Sequence, residues 1–176
     1  MPDNETTTNT TTTNTPVGKI ARQFMAHLLD TTFGGDEPDW YRIGEDLEEF
    51  NVELNPDTEL QKNILGSTNF IHNGYEPSGE ADPFYARVGD ALFAKLQNIV
   101  DNRLTDDNLR TKSLEVHLWD GDETNGYTAW MQECYVTPTS YGGDTSGYQI
   151  PFTVDYVGAR TKGTYAPKTK KFTPAA

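Results

Sequence analysis

Tyr148-Gln-Ile-Pro-Phe-Thr-Val-Asp-Tyr156 decides the fold class. Tyr148, Ile150, Phe152, Val154 and Tyr156 alternate with Gln149, Thr153 and Asp155, the two-residue period of a strand with one face on a core. Leu114, Val116 and Leu118 alternate in the same way with Glu115 and His117. Tyr127 to Thr137 carries large residues at both parities, so it reads as a long strand covered on both faces. Phe24–Leu29 is too short an apolar run for pattern alone to separate helix from strand. The chain therefore reads as mainly β.

One segment follows a different period. Asp82-Pro83 has the form of an N-cap followed by proline at the first helical position. Tyr85, Val88, Leu92, Leu96, Ile99 and Val100 then recur at helical spacing, which predicts a helix over 83–103 of roughly 30 Å lying across a sheet. Phe50, Val52 and Leu54 alternate before the turn signature Asn55-Pro-Asp57, and Leu60, Lys62 and Ile64 follow it. This predicts a hairpin over 47–65. The stretches 66–82 and 138–147, rich in Gly, Ser, Asn and Pro, read as loops.

At 176 residues the chain has one-domain length. Residues 1–16 are almost all Thr and Asn, with nothing to bury, and are expected to be a disordered arm. The domain is expected to span 17–160 and a basic arm 161–176. No apolar run reaches membrane-spanning length, and the N-terminal residues lack the basic stretch and apolar core of a secretory signal, so none is expected. Cys134 is the lone cysteine, so neither an internal disulfide nor a cysteine-based zinc cluster can form.

The net charge is −13, which excludes gripping nucleic acid by neutralising phosphates but not enclosing it. The charge is also polarised. Ten acids between Asp36 and Glu59 face a single base, Arg42, whereas after Asp155 come Arg160, Lys162, Lys168, Lys170 and Lys171 with no acid. These runs are either two solvated patches or complementary ends through which one copy attracts the next.

The search for catalytic chemistry returns nothing specific. His27, His72 and His117 have no paired spacing, and no Gly-x-Ser-x-Gly elbow is present. The segment from Tyr141 to Tyr148 is Gly-rich but lacks the Gly-Lys-Ser/Thr of a phosphate loop. Asp120–Gly126 has the wrong glycine and glutamate positions for an EF-hand and reads as a hairpin loop. The carboxylates of 45–59 form a solvated run rather than a buried acid/base pair. Neither an enzymatic activity nor a cofactor or metal is expected. Trp40, Trp119 and Trp130, with many tyrosines, could form a sugar-stacking platform. A monomeric carbohydrate-binding β-sandwich is therefore the alternative, and a small hydrolase using the acidic cluster stands behind it.

Asp39-Trp-Tyr-Arg-Ile-Gly44, the run Asp46-Leu-Glu-Glu-Phe-Asn-Val-Glu-Leu-Asn-Pro56, Lys62-Asn-Ile-Leu-Gly66, the segment Pro138–Phe152, Lys162-Gly-Thr-Tyr165 and Lys170-Lys-Phe172 together resemble the major tail protein of phages and prophages of Gram-positive bacteria. The resemblance covers most of 17–173. It implies a tail-tube β-sandwich or half-barrel with one flanking helix and extended terminal arms, Phe24–Leu29 being a strand. It also implies a structural subunit of the virion tail, made in the host cytoplasm. Six copies would close into rings, and rings would stack into a conduit for DNA ejection. Arms and a long inter-strand loop would bridge rings, other tail proteins would be partners, and DNA would pass unbound.

Within that frame, strand alternation gives candidate positions. If Phe50, Val52 and Leu54 face the core, then Glu49, Asn51 and Glu53 face away, and Glu59, Gln61 and Asn63 lie opposite them. These six are expected to line the lumen as a negative wall. Glu115, His117, Thr153 and Asp155 face away on later strands. Arg160, Lys162, Lys168, Lys170 and Lys171 are the expected inter-subunit contacts.

Overall fold

A computed structural model describes residues 18–45, 47 and 49–175. The strands in chain order are β1 (Met25–Asp30), β2 (Trp40–Ile43), β3 (Val52–Glu53), β4 (Pro56–Lys62), β5 (Thr68–Tyr75) and β6 (Ser78–Ala81). Helix α1 (Ala91–Asn102) follows, then β7 (Arg110–Asp122), β8 (Gly126–Pro138), β9 (Gly142–Asp144), β10 (Gly147–Gln149), β11 (Phe152–Ala166) and β12 (Lys171–Pro174). One antiparallel sheet runs β2-β1-β7-β8-β11-β6-β3, with β12 folded back on β11. The pairs β4–β5 and β9–β10 stand apart from it.

Leu114–Leu118 and Phe152–Tyr156 become part of the middle of this sheet, whereas Tyr148 and Gln149 belong to the separate β10, the chain leaving strand conformation at Ile150-Pro151. β8 has no exposed residue along its length, as large side chains at both parities require. Its Cys134 is fully buried, and burial, aided by nearby carboxylates, pushes the thiol pKa up. β7 and β11 change register between His117 and Gly121 and between Val157 and Thr161. Such irregularities bend long strands and increase their twist. The curl brings the two ends of the sheet together. Leu29 and Ile43 from one end share a core with Phe50, Ala81 and Phe152 from the other. A second cluster (Ala26, Leu28, Trp40, Leu114, Val116, Ala129, Tyr165) fills the far end. The result is the half-barrel expected of the fold class.

Helix α1 is shorter than the spacing predicts. Asp82-Pro83 is a cis peptide outside the helix, and the N-cap is Asp90, whose Oδ1 accepts from the Leu92 and Phe93 amides at 2.8 and 3.1 Å. Tyr85 instead bridges to Gln149, and Val88 is fully exposed. Leu92, Leu96, Ile99 and Val100 are the buried stripe of α1, and Leu92, Leu96 and Val100 pack into the first core. Arg103, in the left-handed conformation, ends it.

The hairpin expected over 47–65 does not form. β3 pairs with β6, whereas β4 reverses through Asn63–Ser67 to pair with β5. Asn55-Pro-Asp57 is a corner between β3 and β4, held by Asn55 Nδ2 donating to Glu76 O and Ser78 Oγ. The stretch 66–82, read as a loop, contains β5 and β6. The boundary expected at 160/161 falls inside β11, and the basic segment after it is largely the β11–β12 hairpin. The expected arm 1–16 lies outside the described residues.

Candidate assembly surfaces

Strands β3, β6 and β11 present an acidic face. Their register sets Glu53 beside Ser78 and Ser78 beside Asp155, with Glu80 beside Thr153 in the next row. A depression of about 480 Å³ on this face is lined by Glu49, Asn51, Glu53, Glu80, Asp82 and Asp155, among others. The Phe50 ring lies against the Gly79 backbone, where a Cβ would meet it at 2.8 Å, so this face turns its acids outward while Phe50 is buried. Asn51 Nδ2 donates to Glu49 Oε1. Half of the expected lumen set is thus brought together, joined by Thr153 and Asp155.

Glu59, Gln61 and Asn63 are elsewhere. They belong to β4 and its turn, where every strand residue is exposed, so alternation defines no inner face. Asn63 Oδ1 is occupied by the turn, accepting from the Leu65 and Ser67 amides, both at 3.0 Å. Leu54 is also exposed rather than in the core. Glu80 and Asp82 were missed because Ser78-Gly-Glu-Ala81 has no apolar alternation to mark a strand.

Glu115 lines a different surface, a groove of about 910 Å³ between β1, β3 and the long strands β7, β8 and β11, and His117 contacts its carboxylate at 3.0 Å. Arg160 pairs with Glu115 at 3.0 Å and lies over the Trp130 ring at 5.0 Å, with Lys162 Nζ at 5.8 Å. Burial on its own would raise the Glu115 carboxyl pKa. The hydrogen bond from His117 and the charge and hydrogen bond of Arg160 outweigh it and hold the group below the usual range. His27 is buried beside Phe50, its ring edge-on at 5.0 Å, and its Nδ1 has no hydrogen-bond partner among the described residues. Burial, reinforced by Arg22, Arg160 and His117 and opposed by Glu115, lowers its pKa to about 4.

The basic residues near the C-terminus divide in their contacts. Lys168 meets Glu123 at 3.0 Å and Lys170 meets Asp39 at 3.6 Å, so part of the basic end is attracted to acids of its own chain. The tryptophans form no shared platform. Trp40 is buried in the second core, Trp119 stacks on His117 at 4.4 Å, and Trp130 lies beneath two cations. Among the described residues no group of three or more His, Cys, Asp or Glu side chains is placed to hold a metal ion.

The described residues form a curled antiparallel sheet with a single flanking α-helix, a projecting hairpin and open outer strands, an arrangement that matches tail-tube-like folds. No family model matches the chain, and no curated protein does. Solved structures do. The chain is similar to a subunit of the SPP1 tail tube (15% identity, TM-score 0.61), with 86% of this chain and 83% of that one covered. It is similar to a chain from the tail of an empty GTA particle of C6 symmetry (12% identity, TM-score 0.54), covering 81% and 98%. A chain of the sheath–tube complex of the PVC extracellular contractile injection system also matches (11% identity, TM-score 0.51), covering 89% and 99%. A Gram-positive origin finds no support among these neighbours.

Proposed function

We propose that this chain is a structural subunit of a bacteriophage tail tube, assembling into stacked six-membered rings around a passage for DNA. The observation that carries the reading is the fold, shared over more than four-fifths of its length with chains from the SPP1 tail tube, a GTA tail and a contractile sheath–tube complex. The sheet itself supports it. It begins on β2 and ends on the two-residue β3, neither of which has a second neighbour in the sheet among the described residues. Pairing such edges with another copy removes the exposed ladder groups that an isolated sheet leaves open. A ring of six would join these sheets around a common axis. The virion tail is then its location, and other tail proteins are its neighbours at the tube ends.

The acidic face of β3, β6 and β11 is the wall this reading assigns to the lumen. Six copies of Glu49, Glu53, Glu80, Asp82 and Asp155 would repel the phosphates of passing DNA and keep it from adhering. Purified protein should form rings or tubes by negative-stain microscopy, and a chain that stays monomeric at every concentration and salt would refute the reading. Within an assembling phage, Glu49→Lys with Glu53→Lys should leave tubes intact but hinder genome ejection. Normal ejection by that variant would remove these residues from the lumen.

A further inference from the structure

Asn-Gly occurs twice in the chain, at Asn73-Gly74 and Asn125-Gly126. Because glycine carries no side chain, its backbone nitrogen can approach the amide carbon of the asparagine before it, a reaction that makes asparagine thermolabile. The fold treats the two pairs differently. Asn125 is fastened in the β7–β8 turn: its Nδ2 donates to Asp122 Oδ2 and its backbone N–H to Asp122 Oδ1, both at 2.8 Å. Gly126 is buried and paired with Asp122 at the start of β8.

Asn73 has neither restraint. Gly74 stands opposite Asp57 and His72 opposite Thr58, which are consecutive on β4, so Asn73 is the extra residue of a bulge in β5. It is exposed, and its side chain has no hydrogen-bond partner among the described residues. The Gly74 N–H donates to His72 Nδ1 at 3.1 Å, which leaves the ring proton on Nε2. The rings of Tyr75 and Phe70 flank that imidazole edge-on, at 4.6 and 6.2 Å. The nitrogen that must lose its proton to attack Asn73 therefore already points that proton at a base.

We propose that Asn73 is a self-modification site: with His72 as base it closes on Gly74 N to a succinimide, which water opens to aspartate or isoaspartate. His72 Nδ1 takes the Gly74 amide proton as the nitrogen bonds to Asn73 Cγ. The Cγ–Nδ2 bond then breaks, and His72 passes the proton to the departing nitrogen, which leaves as ammonia. Water adding at Cγ gives aspartate. Water adding at the main-chain carbonyl of Asn73 gives isoaspartate, whose backbone runs through the side-chain methylene. Either product places a new carboxylate on β5 close to Tyr75, which lines the groove of Trp130 and Arg160. The reaction needs no second copy of the chain and stands apart from the tube reading.

The test incubates the unassembled full chain at neutral pH, below its melting temperature. Tryptic peptides are then read by mass spectrometry with fragmentation that separates aspartate from isoaspartate. Asn73 should convert roughly tenfold or more faster than Asn125, where two hydrogen bonds of ordinary strength must break first. In urea the two rates should converge. His72→Phe, which keeps a ring beside Tyr75 but has no base, should slow Asn73 by roughly tenfold and leave Asn125 unchanged. His72→Asn keeps an acceptor for the Gly74 amide without a base, and should be as slow as His72→Phe. Asn125 converting as fast as Asn73 in folded protein, or a difference between them that persists in urea, would overturn the assignment. So would a wild-type Asn73 rate in either His72 variant.

Discussion

Asp90 joins two parts of the molecule through one carboxylate, and its removal should be measurable in a cycle. Oδ1 caps α1 through the Leu92 and Phe93 amides, and Oδ2 accepts the Tyr41 hydroxyl of β2 at 2.5 Å. With only twelve residues α1 would not persist alone, so its stability comes from the cap and from the Leu92–Leu96–Ile99–Val100 stripe. Asp90→Ala loses the cap, about 1 kcal/mol, and a hydrogen bond to a charged acceptor in a half-buried setting, about another 1 kcal/mol after solvent compensation. The total of about 2 kcal/mol should lower Tm by roughly 4–8 °C for a chain of this size. Tyr41→Phe should cost about 1 kcal/mol, and the two changes together should fall short of their sum by about the same amount. Chemical denaturation of dilute, unassembled protein followed at 222 nm measures all four corners. A coupling within about 0.3 kcal/mol of zero would refute the Tyr41–Asp90 link, and an Asp90→Ala protein as stable as wild type would refute the cap.

Because the folded His27 pKa lies near 4 and the unfolded value near 6.5, the unfolded chain binds the extra proton between them. Stability should therefore fall as pH drops from about 6.5 to 4, by about 3 kcal/mol in all, and His27→Gln should flatten that slope in urea melts across the window. Gly121 has φ +130° and a Cβ there would lie 2.3 Å from Gly126 O, so Gly121→Ala should cost roughly 2–4 kcal/mol at the β7–β8 turn, read as a lower urea midpoint. Lys168, Lys170 and Lys171 changed together to Gln should barely move the melting point of the free subunit, since exposed ion pairs contribute little. If those lysines also meet a neighbour, the same variant should slow polymerisation at low salt, and unchanged light-scattering kinetics would dismiss that role.

The sequence revealed strands wherever one face was buried along a regular period, as at 114–118 and 152–156, and it revealed the covered middle strand through its bulky residues at both parities; the same alternation carried back to Tyr148 ran through the break at Ile150-Pro151. It misled where apolar residues serve a surface. Leu54, Leu60 and Ile64 look like core positions, but they are exposed, because a local pattern of apolar residues does not say whether the strand that carries them is packed on the rest of the chain. The helix start was misplaced because Asp82-Pro83 and Asp90-Ala91 are both plausible openings, and only tertiary packing makes Val88 solvent-exposed. The acidic face was half legible: Glu49 and Glu53 came from alternation, and Asp155 was assigned outward but not to this face. Glu80 stayed hidden in a strand with no apolar rhythm, whose place between β11 and β3 is set by contacts far apart in sequence.

Cys134 has a consequence beyond packing. It is the chain's only thiol, it has no exposure, and it lies on β8 between β7 and β11, paired across them with Thr111 and Tyr156. A thiol-reactive dye can reach it only when those strands part, and with the thiolate suppressed even a brief opening reacts slowly. The folded protein therefore carries its own clock. The rate of Cys134 labelling reads how often the centre of the sheet comes open, and a comparison of free subunits with assembled particles would measure how far neighbours hold it shut.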